Sequence, residues 1–440
     1  MGLIIGVGNT KPKFPYDYYY GIEWDSNVAN SACKRLGRPE LHVSLPIQSK
    51  MRRCVLRDNG TVAYYLHAND SAKRDNGAAA NLDGTDGQVM VEIPAHYRKF
   101  EIEGTKFRCF LSEFELPGFH LVPLAYRSAY EAAIDRTTAS APKLASVVNA
   151  SAAFRGGNNT TAWDETYRSL LGRPGTSTSL TNFRAYARRR GNTGLNGAGW
   201  NCDVYEVQKT CYWLYAVEYA NFNSQLAYNA APTSEGYKQG GLSSGVTTLS
   251  SSLWSSFNGY NPFVPCGYTN SLGNRTGIID FAMPSEYGSL TVQVPSYRGL
   301  ENPFGHVWSW TDGCKCRIQS EASGGLSEFY VCLDPSKYQD SNYNDCELRG
   351  LLPRREGYVK IMITGEHGEN MPSEVGAGST TYFADYFYTS IPGSGEALRG
   401  VLFGGFAYYG ANAGFGCALT YNAPSSTNAS IGSRLCFLPE

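Results

Sequence analysis

The chain has 440 residues, with 38 Lys and Arg against 39 Asp and Glu and a formal net charge of −1. That length can bury two or three domain-equivalents of core, and the neutral balance excludes a basic field for holding nucleic acid or an anionic membrane surface. Charged residues are only 18%, while Gly reaches 48 and Tyr 31, a composition of turns and amphipathic rings rather than of long charged helices.

In chain order, the apolar start Leu3-Ile4-Ile5-Gly6-Val7 lacks a basic n-region and is shorter than a secretory h-region. No run of about 18 apolar residues follows anywhere, so neither Sec export nor membrane insertion is expected. The first hundred or so residues alternate short apolar runs with turn clusters. Tyr18 to Trp24 and Val62 to Leu66 read as strands, and the turns of Asn81-Leu82-Asp83-Gly84-Thr85-Asp86-Gly87 lead into a third, Gln88 to Ile93. This predicts a β-rich module over 1–105 and a second domain over 106–440. The spacing then predicts a helix from Thr181 to a Gly191 stop, capped by Ser179 or Thr181, with arginines in its last turn. A second helix, Val204 to Ala220, carries a core stripe of Val207, Cys211, Leu214 and Val217. Residues 221–274 form a polar Ser/Gly/Asn/Tyr loop region, and Leu290 to Val294 and Tyr358 to Ile363 alternate as strands.

The residues offer little conventional catalytic chemistry. The 12 cysteines are too dilute for a disulfide scaffold and never form a CxxC pair. None of the six histidines (His42, His67, His96, His120, His306, His367) is spaced as a helical metal site. Gly6-Val7-Gly8 lacks the context of a dinucleotide fingerprint, and no GxSxG elbow occurs. Glu23 and Asp25 share a strand face and are the one candidate acid/base pair for glycoside cleavage. No cofactor and no metal are expected.

The C-terminal third carries more information. Asn302 to Gly313, containing Gly305-His306-Val307-Trp308-Ser309-Trp310, is followed by Leu398-Arg399-Gly400-Val401-Leu402-Phe403-Gly404-Gly405 and then by Ile431-Gly432-Ser433-Arg434-Leu435-Cys436-Phe437. These segments resemble the G-N-V-W-E-W, R-G-G-S-W and G-F-R strands of the C-type-lectin fold in its formylglycine-generating-enzyme branch, with His306 for Asn, Ser309 for Glu and Ser433 for Phe as departures. The resemblance implies an α+β protein: a C-type-lectin-fold C-terminal domain preceded by the small β-rich N-terminal module.

Residues 400–433 contain no Asp, Glu, Lys, Arg or His, and interleave Gly and Ala with rings, Ser and Asn, the composition of a paratope. Gly404-Gly405-x-Ala407-x-x-Gly410-Ala411-Asn412-Ala413-Gly414-Phe415, Ala423-Pro424-Ser425 and Ile431-Gly432-Ser433-Arg434 are similar to the variable region of proteins diversified by diversity-generating retroelements, above all the phage and prophage receptor-binding proteins of gut Bacteroides. In that family, adenine-directed mutagenesis does not generate Lys, Glu, Gln, Met or Trp, and 400–433 contains none of them. Asp83 to Pro94 is similar to the N-terminal part of such phage structural proteins.

The resemblance implies a non-enzymatic receptor-binding protein of the virion tail fibre or baseplate, a homo-oligomer with a trimer favoured, joined to other phage tail proteins. Its partner is a host bacterial surface protein or glycan, met through a variable region at about 400–434. The implied ligand-binding residues are Phe406, Tyr408, Tyr409, Gly416, Cys417, Leu419, Tyr421, Asn422, Ser426, Asn428 and Ser430, with Phe406, Leu419 and Ser430 expected at the surface beside the tyrosines. Alternatives are a tail-associated glycan depolymerase, a formylglycine-generating-type oxidase, for which Cys417 and Cys436 are the distant thiols, and a bacterial surface adhesin.

Overall fold

A computed structural model describes residues 15–154, 172–191, 199–243, 262–282 and 291–439. The Leu3–Val7 start, Gly6-Val7-Gly8, Leu290 and part of the polar 221–274 region lie outside the described residues. The expected α+β class, with its C-type-lectin domain, is corrected: the chain is mostly β. Among the described residues, twenty-eight strands stand against three α-helices, Pro39–Ser44, Leu180–Arg188 and Tyr205–Tyr219, and the largest sheet is nearly a closed barrel. The physical reason lies in the composition, because frequent glycines and turn residues chop the chain into strands of two to twelve residues and leave few stretches long enough for a stable helix.

Three sheets build most of the molecule. In the first, Lys34–Gly37, Tyr19–Asp25, Lys106–Ser112, His96–Glu103 and His120–Val122 lie side by side, all antiparallel. The second runs Trp200–Cys202, Leu435–Phe437, Ala125–Ser128, Gln88–Ile93, Arg52–Leu56, Val62–His67 and Asp70–Arg74, so the last strand of the chain is clamped between strands from its middle and its first third. Residue 105, where the first module was expected to end, falls in the turn of the hairpin His96–Glu103/Lys106–Ser112. In the third sheet the long strand Trp308–Gln319 pairs with Ser327–Val331 on one side and Glu396–Phe403 on the other. The order continues through Ala418–Leu419, Tyr386–Tyr388, Gly357–Thr364 and Glu369–Val375. This sheet curls until Gly350, in the strand Glu347–Leu351 at one end, meets Ile363 near the other: a Cβ on Gly350 would come within 2.8 Å of that side chain.

The helices fill the spaces between sheets. Ser179 caps Leu180–Arg188 by accepting from Asn182 N at 3.2 Å, while Thr181 donates to Asp340 instead. The arginines of this helix do more than offset its dipole: Arg184 makes a two-pronged ion pair with Asp312 and another with Asp340. Tyr205–Tyr219 is not the one-faced helix that its periodicity predicts. Every residue on it except Glu206 is buried, because the first and third sheets and the loops after residue 220 cover different flanks. Its polar groups accordingly have interior partners: Trp213 Nε1 donates to Gly368 O at 2.7 Å, Gln208 Nε2 to Phe415 O, and Glu218 receives Arg298.

Trp308 and Trp310, two residues apart on one strand and so on one face, are both buried. Trp310 lies so close over the neighbouring strand that a Cβ at Gly400 would sit 2.6 Å from its ring. Replacing Trp308 by Ala is expected to cost about 3–5 kcal/mol, read as a fall in the urea midpoint; an unchanged midpoint would remove this strand from the core.

Candidate functional site

The uncharged stretch is a set of turns bolted to the third sheet. The strand Glu396–Phe403 ends at Gly404 and Gly405, both at positive φ (98° and 75°), where a side chain would be strained and a Cβ on Gly405 would meet Ala413 at 2.9 Å. Residues 406–409 then turn into a short 3₁₀ segment, Gly410–Asn412. The chain returns through Ala418–Leu419, loops out over 420–430, and re-enters as Ile431–Ser433, parallel to Trp308–Gln319. Arg434 follows as a buried anchor, donating to the carbonyls of Ser128, Glu301 and Asn302.

This geometry divides the expected binding residues into two groups. Phe406, Gly416, Cys417, Leu419 and Ser430 are buried, contrary to the expectation that Phe406, Leu419 and Ser430 lie at the surface. Leu419 sits on a strand paired to Leu402 and Tyr388, which turns its side chain into the core, and Ser430 is held by its hydroxyl on Asn428 Oδ1 at 2.8 Å. Burial pushes the Cys417 thiol up, with Asp385 beside it; Cys436 instead points its sulfur at Asp203. The second group, Tyr408, Tyr409, Tyr421, Asn422, Ser426 and Asn428, reaches solvent. Tyr408 is 38% exposed and the others are half-buried.

The accessible rings join others that the sequence did not single out. Tyr409 packs at 4.7 Å from Tyr388 and 5.5 Å from Trp308, Tyr388 lies 4.6 Å from Tyr386, and Tyr386 is 5.0 Å from Tyr358 (centroid separations). Asn412 ties this row together: its Oδ1 accepts from the Tyr358 hydroxyl at 2.5 Å and its Nδ2 donates to the Tyr388 hydroxyl at 2.8 Å. The result is a continuous row of phenol rings running from Tyr358 through Tyr386, Tyr388 and Tyr409 to Tyr408, its inner members fixed by packing and its outer members open. The i, i+2 spacing of Tyr386 and Tyr388 on a strand is the signal that could have brought them in. Such a face offers contact area at low entropic cost, and hydroxyls for hydrogen bonds.

Beneath the turns lies one acid. Asp385 is fully buried against the backbone of 414–417, where a Cβ on Gly414 would fall 1.8 Å from its Oδ1 and one on Gly416 2.7 Å from its Oδ2. Burial raises its carboxyl well above the ordinary range, and the backbone N–H groups of Gly416 and Cys417 only partly oppose this.

The other candidates for chemistry have structural partners. Glu23 receives Arg108 at 2.7 Å and Asp25 receives the backbone N–H of Asn27, so the proposed acid/base pair is engaged on the sheet surface. Burial pushes both His42 and His96 down to about 4. His306 Nδ1 bonds Glu131 while its Nε2 accepts from the backbone of Phe263 and Val264 at 3.1 and 3.2 Å, an arrangement that fixes the ring as a strut.

No protein-family model and no curated protein matches the chain. Among solved structures it is similar to PvdO from Pseudomonas aeruginosa, a protein of formylglycine-generating-enzyme-like fold, at 12% identity and a TM-score of 0.33, over 81% of this chain and 97% of that one. A likeness that weak decides neither fold nor function.

Two outcomes follow from the geometry. Phe406→Ala is expected to destabilise by about 3 kcal/mol or more and Tyr408→Ala by less than about 1, both read from urea unfolding; equal losses would contradict the division into core and surface. Asp385 carries a pH dependence. Its folded pKa is raised, so its contribution to stability is full below the unfolded value of about 4 and is lost as pH rises through the folded value. Relative to Asp385→Asn, the native chain is expected to lose stability as pH rises above about 4, and a constant difference would show that this carboxyl does not change its charge on unfolding.

Proposed function

We propose that the chain is a receptor-binding protein of a bacteriophage or prophage tail, which recognises a protein or glycan on the host surface through the tyrosine face and is diversified by a retroelement within residues 400–434. One observation carries the reading. The only exposed ring of the uncharged stretch, Tyr408, and its half-buried neighbours Tyr409 and Tyr421 stand at the edge of a scaffold whose own tyrosines extend the same face. An open face of rings on a folded protein invites aggregation unless a partner covers it. The buried members of the stretch hold the turns and the accessible ones meet the ligand, so side chains can be exchanged at the rim with little effect on folding. In the virion the chain would act as an oligomer, a trimer in this reading, bound to other tail proteins, and avidity would multiply modest single-site affinity.

The test is adsorption of purified protein to host cells. Tyr408→Ala with Tyr421→Ala should keep the fold and weaken adsorption by about 2 kcal/mol, roughly thirtyfold. A folded double variant with undiminished adsorption would place recognition elsewhere. In the genome, a reverse transcriptase gene and a near-copy of codons 400–434 differing at adenines are expected nearby, and their absence would remove the diversification from the proposal.

A further inference from the structure

A cavity sharing no residue with the tyrosine face opens where the first sheet, the start of the helix Tyr205–Tyr219 and the segment 333–338 meet; its volume is about 560 Å³. Most of its wall is apolar, built from residues such as Ile93, Phe100, Leu121, Val207 and Leu333. That size and lining are those of small-molecule sites, which add a few placed polar groups to an apolar wall.

The charges at its floor are unevenly matched. Lys209 is neutralised by Glu206 at 2.7 Å and Glu369 at 3.3 Å, and Arg349 by Glu347 at 2.9 Å. Arg98 is 7% exposed. Its guanidinium faces the cavity with a long 3.5 Å contact to the Thr210 hydroxyl and the Phe100 ring at 5.3 Å, and among the described residues it has no carboxylate within ion-pair distance. A buried guanidinium is a planar fork of donors that fits a carboxylate through two parallel hydrogen bonds, and leaving it without an anion is costly. Glu206, paired to Lys209, acts on Arg98 only at longer range, and with Asp334 and Glu366, which also line the cavity, it would repel an ion of higher charge.

We propose that this cavity binds a small amphipathic monocarboxylate, with the carboxylate on Arg98 and the apolar body along Phe100, Leu121 and Val207. The site is independent of the tyrosine face, so either assignment can fail while the other stands.

The experiment titrates the full chain calorimetrically with octanoate and with 1-octanol, which share the apolar body and differ in the charge. Octanoate is expected to bind at least tenfold more tightly than octanol. Arg98→Met is expected to bring octanoate down to the octanol level while leaving octanol unchanged, and Arg98→Lys to restore part of the difference. Leu121→Trp, at a rim position that is 58% exposed and outside the core, should weaken both ligands by narrowing the cavity, and it serves as the test should Arg98→Met not fold. Absence of saturable octanoate binding, equal octanoate affinity in a folded Arg98→Met variant, or indifference of both ligands to Leu121→Trp would each overturn the proposal.

Discussion

The elements of the fold meet at the ion pair between Arg127 and Asp203, both almost wholly withdrawn from solvent. Arg127 Nε meets one carboxylate oxygen at 2.9 Å and Nη2 the other at 2.6 Å. Burial opposes the charge on Arg127, but the carboxylate more than offsets it and holds the guanidinium above its ordinary value. Asp203 also receives the Ser309 hydroxyl at 3.1 Å, its carbonyl accepts from Asp312 N at 2.7 Å, and its own N–H reaches Ser433 Oγ. One residue thereby fastens the second sheet, the long strand of the third, the closing strands of the chain and the start of the central helix. Removing one partner of such a buried pair leaves an uncompensated charge, a cost of about 3–5 kcal/mol. Trp308–Gln319 and Ile431–Ser433, which flank the proposed binding turns, both attach to this junction.

If the surface is exchanged as proposed, its side chains must not be shared with the contacts that hold it. Here the separation is made within a single short stretch. Gly405, Gly414 and Gly416 set the turns by leaving room for Ala413 and Asp385, while Phe406, Cys417 and Leu419 fill the core. Tyr408, Tyr421, Asn422 and Ser426 stand outside that framework. Tyr409 lies between the two roles, with one flank on Trp308 and Tyr388 and the other toward solvent.

Local order was legible in the sequence wherever a period or a cap announced it. The strand Gln88–Ile93 was written in residue spacing, and the cap of the helix Leu180–Arg188 was narrowed to Ser179 or Thr181. The class of the fold was not, because a helix pair and a few motif strands say nothing about how many further short strands surround them. Within 400–433 the alternation of Gly, Ala and rings has no dominant period. Leu419 points inward because its strand pairs with Leu402 and Tyr388, and Phe406 lies where the chain bridges to His306, both long-range facts. Asp385 was invisible for the same reason: a lone acid between Ala384 and Tyr386 reads as a surface residue until the glycine turns close over it.

The most direct test is a library randomised together at Tyr408, Tyr421, Asn422 and Ser426, sorted first for folded protein and then for adsorption to a panel of bacterial strains. If these side chains form an exchangeable recognition surface on a fixed scaffold, most members will unfold within a few degrees of the native chain while their strain preferences diverge. A library that largely fails to fold, or one whose folded members all adsorb as the native chain does, would contradict the account.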